Sequence, residues 1–406
     1  MSDTKIETKS DPNHPLPGNK RIVGQKKARI QIKQILDSGR ISHAYLLTGQ
    51  PGVGKLPLAL TFAEYMSGVE HLSTLGDAKK TNKTSWFTHP DIHLFFPMPR
   101  VHTAKEYSER LQLLAEDPYE IVDYGLRPNL NSDDSSKNKQ AFYSIDYYRS
   151  EIRRAAFLKP NEAEKTIIVI TEVEKMRAET ANAFLKLLEE PSDRVMFILT
   201  TNNVDALLPT IISRCQIVSL SPLTHTEIEE GLSTYDNIDP KDAHYLARVA
   251  GGNYSMTRFY NVEDLKRHRE SVIEFLRASF VGNPAQIVSI ATQWHGDYNL
   301  QGQISILNML EMFVRDITLY VHTQDKSYIT NVDQMDVIEN FCKALGDAKL
   351  DLMIDEIDEF RGILFQNINA RLAFIVLANR LSPLMKGQPL PLKGNEWFHI
   401  PSILVN

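Results

Sequence analysis

Seven consecutive residues, Gly49-Gln50-Pro51-Gly52-Val53-Gly54-Lys55, constrain this chain more than any others. They follow a short apolar run, His43-Ala44-Tyr45-Leu46-Leu47-Thr48, and open a helix-like stretch from Lys55 to Met66. Strand, glycine-rich turn and helix, in that order, is the setting in which G-x-x-x-x-G-K signifies a phosphate-binding loop. Gly49, Gly52 and Gly54 let successive backbone N–H groups curl round phosphate oxygens, at a helix N-terminus that favours negative charge. Lys55 would reach the β- and γ-phosphates of a nucleotide.

The rest of the first half agrees with such a loop. Short apolar runs at Ile92–Phe96, Thr166–Ile170, Val195–Leu199 and Gln216–Leu220 read as buried strands. Helical patterns separate most of them, notably Tyr147–Leu158 and Ala178–Glu190. The alternation predicts a mostly parallel sheet covered on both faces, with right-handed crossovers. Ahead of them, Ile22–Asp37 is predicted helical, with Ile30, Ile32, Ile35 and Leu36 as its apolar stripe. After Pro222 the strand signals stop. Thr224–Met385 reads as consecutive helices, including Tyr245–Ala250, Val262–Phe280, Ile304–Tyr320, Val337–Leu345 and Ala370–Leu381. The stripe Leu307, Leu310, Phe313, Val314, Ile317 and Val321 is expected to be a helix core face.

At 406 residues the chain exceeds one ordinary core. The expected division is a flexible lead-in over 1–21, an α/β domain over 22–222 and a small helical domain over 223–265. A larger helical bundle over 266–385 and an extended tail over 386–406 complete it. An insertion at about 97–144 interrupts the α/β domain, and its Asn129–Lys139 stretch, rich in Asn, Ser, Asp and Lys, reads as a flexible surface loop.

Composition excludes several functions. A net charge of −6 argues against a dominant nucleic-acid-binding field. The two cysteines, Cys215 and Cys342, cannot form a disulfide framework or a four-cysteine zinc site, and they fit a reducing cytoplasm. No stretch approaches the roughly 20 apolar residues of a membrane span, and the N-terminus lacks the apolar core of a signal peptide. A cytoplasmic chain without a membrane partner is expected. His89 and His93 have the spacing of helical zinc ligands, but Pro90 and the strand that follows are the wrong setting for a metal site.

The nucleotide machinery is incomplete. After the loop lysine, an active phosphate-loop ATPase offers a Ser or Thr hydroxyl to Mg²⁺. Here that residue is Leu56, followed by Pro57. The strand Ile167-Ile168-Val169-Ile170 should end in Asp for the Mg²⁺ shell and then Glu to orient the attacking water. This chain has Thr171-Glu172. Both magnesium-related groups are altered while the acid at the catalytic-base position, Glu172, survives as a vestige. The fold signal is strong, and turnover of nucleotide is not expected.

Taken in order, these residues resemble the clamp-loader subunits of bacterial DNA polymerase III, members of the AAA+ ATPases, and in particular the delta-prime type. The resemblance starts at Ile22-Val23-Gly24-Gln25, continues through Ser42–Gly49 and resumes at His89-Pro90-Asp91-Ile92-His93. It is densest over Glu172–Cys215, where Ala181–Pro191 precedes Leu199-Thr200-Thr201-Asn202 and the segment closes on Ser213-Arg214-Cys215. The first 220 or so residues carry it, and the helical remainder matches by pattern alone.

The resemblance implies an AAA+ core with a parallel sheet, a helical lid and a helical collar. It also implies a heteropentameric ring of clamp-loader subunits that opens a sliding clamp and closes it on primed DNA. Such a chain is part of the polymerase III holoenzyme rather than an ATPase alone. In the delta-prime type the own site is often defective, yet the Ser-Arg-Cys motif is kept and serves a neighbour. Arg214 is then an arginine finger acting in trans, with Ser213 and Cys215 completing an interface motif. A guanidinium suits that role, offering two parallel donors and a permanent charge to a γ-phosphate. Cys215 is expected to be a small buried residue rather than a nucleophile. Thr201 and Asn202 stand at the nucleotide-sensor position. Together with Gly49, Gly52, Gly54 and Lys55 they form a degenerate set that would at most hold nucleotide without hydrolysis.

The family's zinc module would fall at Gly68–Thr88, which has no cysteine, so no zinc is carried over. Gly251-Gly252-Asn253-Tyr254-Ser255 resembles the start of the second sensor, with Ser255 in place of its arginine and Arg258 three residues on. Two other readings remain open at this level. One is an active AAA+ ATPase with an unorthodox magnesium shell, and the other is a non-replicative AAA+ scaffold or regulator.

Overall fold

The computed structural model describes residues 22–67, 86–125, 127, 130, 140–259, 262–298, 300–331, 334–364, 366 and 368–390. The lead-in, most of Gly68–Thr88, residues 131–139 of the polar stretch in the insertion, and the tail beyond 390 lie outside the described residues. The chain divides into two compact units, Met1–Arg258 and Phe259–Asn406.

In chain order the strands of the first unit are β1 (Ala44–Thr48), β2 (Ile92–Phe95), β3 (Met98–Pro99), β4 (Ala141–Phe142), β5 (Thr166–Ile170), β6 (Val195–Thr201) and β7 (Gln216–Ser219). Five of them form one sheet in the order β2-β5-β6-β1-β7, and every pairing is parallel. β1, β5 and β6 are buried along their whole length. That is why they read as unbroken apolar runs: a parallel strand with helices on both faces has no solvent side to alternate toward. β7 departs from the buried strand expected there. It is an edge strand in which only Val218 is buried and Ile217 is 41% exposed.

The first helix spans Lys26–Ser38 and starts four residues later than its apolar pattern suggests. Gly24 (φ 58°) and Gln25 (φ 55°) both take left-handed backbone, which no helix can extend through. Its buried face is Ala28, Arg29, Ile32 and Ile35, while Ile30 points outward and is 48% exposed. Gly39 (φ 65°) ends it as a left-handed cap. The Lys55–Met66 helix stands where expected. Pro57 is tolerated because it lies in the first turn, where backbone N–H groups have no intrahelical acceptor. The expected Tyr147–Leu158 helix is broken into a short turn, a π-helical turn over Tyr148–Ile152 and a helix over Arg153–Phe157.

Much of the insertion is packed structure. β3 and β4 pair antiparallel, and between them a helix spans Ala104–Glu116. Thr103 and Glu106 open that helix with a reciprocal capping box. Arg110, almost wholly buried, donates to the carbonyls of Val122 (2.6 Å) and Arg127 (2.7 Å) and lies over the Tyr124 ring at 3.6 Å. After β7 the unit continues into helices His225–Tyr235 and Pro240–Val249 and a short helical turn beginning at Tyr254.

The described part of the second unit is helical: Val262–Val281, Pro284–Asp297, Leu300–Thr323, Met335–Ala344, Leu350–Leu364 and Ala370–Met385. Trp294 anchors its core, with ring centres 4.8 Å from Phe275 and 4.9 Å from Phe374. Leu307, Leu310, Phe313, Val314 and Ile317 are buried as the helical period requires, each contributing about 1.5–3 kcal/mol. Val321, the last residue of that stripe, is 39% exposed near the helix end. Among the described residues no helix is long and apolar enough to cross a membrane.

Candidate nucleotide site and the Arg214 edge

The phosphate loop leaves the C-terminal end of β1 and is held from outside by Gln25. The Gln25 amide donates to the carbonyls of Val53 (3.0 Å) and Ser221 (2.6 Å), and its oxygen accepts the Ser221 N–H at 3.1 Å. Gly52 (φ 68°) and Gly54 (φ 98°) supply the left-handed backbone that the loop needs. Lys55 turns back on the loop. Its ammonium donates to the Gly49 carbonyl at 2.7 Å and also to that of Gln50. Burial lowers its pKa to about 8, against the opposing pull of Glu174 and Glu172.

The loop is also crowded from the side. A Cβ on Gly52 would stand 1.5 Å from the Asn253 side-chain oxygen, and one on Gly54 would stand 2.8 Å from the Tyr119 hydroxyl. Tyr254 donates its N–H to the Gly52 carbonyl at 3.1 Å. Leu56, at the magnesium-ligand position, packs against the core. These residues do not fit a magnesium nucleotide: the hydroxyl is gone, the lysine is bonded to its own loop, and neighbouring side chains lie against two of the glycines.

The end of β5 is equally tied up. Thr171 is buried, its N–H donating to the Phe95 carbonyl (2.9 Å) and its carbonyl accepting from the Tyr143 hydroxyl (2.6 Å). Glu172 sits in left-handed backbone (φ 48°) and its carboxylate meets the Lys175 ammonium at 2.8 Å. Burial raises the Glu172 pKa, with Lys175 opposing. Lys175 is also paired with Asp123 of the insertion. Burial works against the charge of Lys175, but Glu172 and Asp123 outweigh it and raise its pKa. An acid so paired is poorly placed to orient water.

At the end of β6, the Thr201 hydroxyl donates to the Asn203 carbonyl (3.0 Å) and accepts the Asn203 N–H (3.1 Å). The Asn202 N–H goes to Glu174 at 3.0 Å. Thr201 is thus bonded within its own turn, and Asn202 to the turn that follows β5. Arg258 is far more engaged than its sequence position suggests. It forms ion pairs with Asp117 and Asp236, each at 2.8 Å, and lies over the Tyr254 ring.

Ser213-Arg214-Cys215 lies at the other end of the sheet. A short helix, Pro209–Ile212, leads into it and β7 follows. Ser213 is exposed. Arg214 donates to the Thr210 carbonyl and pairs with Glu189, both at 2.9 Å, at the end of the Ala178–Glu189 helix. The two side chains keep 33% and 47% of their surface in solvent. Burial pushes the Cys215 thiol up to about 12, which suits packing and not nucleophilic chemistry.

The structure therefore brings Gly49, Gly52, Gly54, Lys55, Glu172, Thr201 and Asn202 to the C-terminal ends of β1, β5 and β6, and sets Arg214 apart from them. Sequence reasoning missed Asp117, Tyr119, Asp123 and Lys175. The first three lie in a stretch without a nucleotide motif, and their contacts span dozens of residues. Among the described residues no cluster of three or more His, Cys, Asp or Glu could hold a metal ion.

Known proteins resemble both units of the chain. The family model described as DNA polymerase III, delta subunit, matches residues 24–224, and that for the C-terminal part of the delta subunit matches 263–382. The DNA polymerase III subunit delta-prime of Bacillus subtilis is 26% identical over 297 residues, which cover 72% of this chain and 76% of that protein. The gamma subunit of Buchnera aphidicola is 30% identical over 232 residues, covering 56% of this chain and 53% of the relative, so the chain spans about half of that protein's length. Among solved structures, a gamma-subunit-related protein of Thermotoga maritima aligns over 87% of this chain and 99% of its own, at 14% identity and a TM-score of 0.37. With both halves matched by delta-subunit models, and with an all-parallel phosphate-loop sheet preceding a helical unit, the chain belongs to the DNA polymerase III clamp-loader subunits and is of the delta-prime type.

Proposed function

We propose that this chain is a stationary member of a clamp-loader ring: it turns over no nucleotide itself and presents Arg214 to the nucleotide of an adjacent subunit. The observation that carries this reading is the position of Arg214 in the sheet. All five strands are parallel, so the phosphate loop, Glu172 and Thr201 follow strand C-termini while Arg214 precedes an N-terminus. Gln216 pairs with Tyr45 near the start of β1, and the loop begins only after Thr48. At about 3.3 Å per residue, Arg214 and its own loop are separated by on the order of 15 Å along the sheet. An arginine so placed cannot serve the site of its own chain, but it suits one across an interface.

In this reading residues 22–222 are the core, 223–265 a lid and 266–385 a collar that assembles with other clamp-loader subunits. The complex loads a sliding clamp onto primed DNA in the cytoplasm, and this chain contacts primed DNA through that complex. The test is DNA- and clamp-stimulated ATP hydrolysis by reconstituted complexes that differ only in this subunit. Arginine fingers are worth about 10³ to 10⁵ in turnover in well-studied GTPases, and a smaller loss is expected where several sites fire. Arg214→Ala lowers turnover while assembly persists, and Arg214→Lys rescues poorly because a point charge cannot reproduce the planar fork. Unchanged turnover with Arg214→Ala would make the chain a passive spacer and end this proposal.

A further inference from the structure

The insertion sends one aromatic side chain against the nucleotide loop. Tyr119 is buried, and its hydroxyl accepts the Val23 N–H at 2.9 Å. Its ring meets Tyr254 edge-on at 4.7 Å. The same hydroxyl closes over Gly54, where a Cβ would find it at 2.8 Å. A planar ring is thus enclosed by the phosphate loop, the segment preceding the first helix and the residues after Pro240–Val249. It offers what a purine offers: a flat apolar body and an acceptor at its edge, here answered by a backbone donor. The segment carrying it is fastened at both ends. Asp117 is held by Arg258, which Asp236 also grips, and Asp123 is held by Lys175, which also neutralises Glu172.

We propose that Asp117–Asp123 is a built-in occupant of this chain's nucleotide pocket, with the Tyr119 ring standing in for the base of a purine nucleotide and the Asp123–Lys175 pair closing the side toward Glu172. The proposal rests on the reading of this site as one without turnover and adds what fills it. The insertion then has a purpose: it gives the phosphate loop a permanent internal ligand, so the fold is completed without the nucleotide that other phosphate-loop subunits bind. The pocket's latent specificity is for a planar purine, and Tyr119 is the group that masks it.

The test uses the full-length chain with ADP and adenosine as probes, followed by calorimetry with and without magnesium. The wild type shows no saturable ADP binding, while Tyr119→Ala gains at least about tenfold in affinity, a difference well resolved by this method. Tyr119→Phe keeps the ring and loses only the hydroxyl, so it stays closed to ADP while the Val23 amide exchanges faster with solvent. Tyr119→Leu replaces Tyr119→Ala if the latter does not fold. Wild-type binding equal to that of the truncated variants would overturn the proposal, as would a folded Tyr119→Leu or Tyr119→Ala that gains nothing. ADP binding by Tyr119→Phe equal to that of the truncated variants would also overturn it. These outcomes are independent of the Arg214 assay: an open wild-type pocket leaves the trans-acting arginine standing, and a silent Arg214→Ala complex leaves the plug standing.

Discussion

The two ends of the central sheet are built to opposite rules. At the C-terminal end, Lys55, Glu172, Thr201 and Arg258 all have intramolecular partners, and those bonds are partly shielded from solvent. At the N-terminal end of β7, Arg214 is held by one half-exposed ion pair, one carbonyl and a long bond to the Ser213 hydroxyl. The first end is committed to holding the chain together. The second keeps a guanidinium that a stronger acceptor can take over, since an exposed ion pair is worth at most about 1 kcal/mol. On the proposed reading, a site without turnover is drawn into the core, whereas a group that serves a neighbour stays on the surface.

Removing Arg258 should have the largest effect on stability. Arg258→Ala deprives Asp117 and Asp236 of their guanidinium, and breaking this part-buried network costs about 2 kcal/mol, between an exposed pair and a fully buried one. Urea unfolding of the full chain measures it, and a loss below about 1 kcal/mol would mean that the contrast between the two ends is overstated. Lys55 gives a smaller effect with a distinctive sign. The unfolded lysine keeps its proton to about pH 10.4, whereas the native one releases it near pH 8. Between those values the unfolded state binds more protons, so wild-type stability rises with pH by up to about 1.4 kcal/mol per unit. Lys55→Met should therefore be at least as stable as wild type at pH 7, with an advantage that shrinks from pH 8 to 10. A difference independent of pH would show that Lys55 is not a buried, penalised charge. The smallest effect belongs to Arg214→Ala in the isolated chain, within about 0.5 kcal/mol of wild type. A larger loss would place Arg214 among the structural residues and blunt the comparison.

How legible each part was follows from how local its determinants are. β1, β5 and the Lys55–Met66 helix stand where their apolar runs and flanking turns put them, because burial on both faces leaves a continuous signal. The start of the first helix was not legible: Gly24 and Gln25 take left-handed backbone to let Gln25 reach Ser221, a demand from the far end of the domain. Thr103 and Glu106, three apart, form a capping box that sequence reasoning passed over, so the helix within the insertion was missed although its signal is local. Nothing near Tyr119 announced its partner, since Val23 is 96 residues away. The loss of magnesium ligands could be read directly from Leu56 and Thr171. The proposed occupant of the pocket could not, because Tyr119 lies in a segment with no motif of its own.

The order of the sheet also sets a timetable for biosynthesis. β1 has two neighbours, β6 and β7, and neither exists until residues 195–219 have been made. At about 5–20 residues per second, the ribosome needs on the order of ten to forty seconds to deliver them after β1 has emerged. For that interval Ala44–Thr48 is an apolar strand with both edges bare, the kind of segment that recruits the wrong partner. The nascent chain is therefore most in need of a holding chaperone while its most recognisable motif is already outside the ribosome and still unfolded.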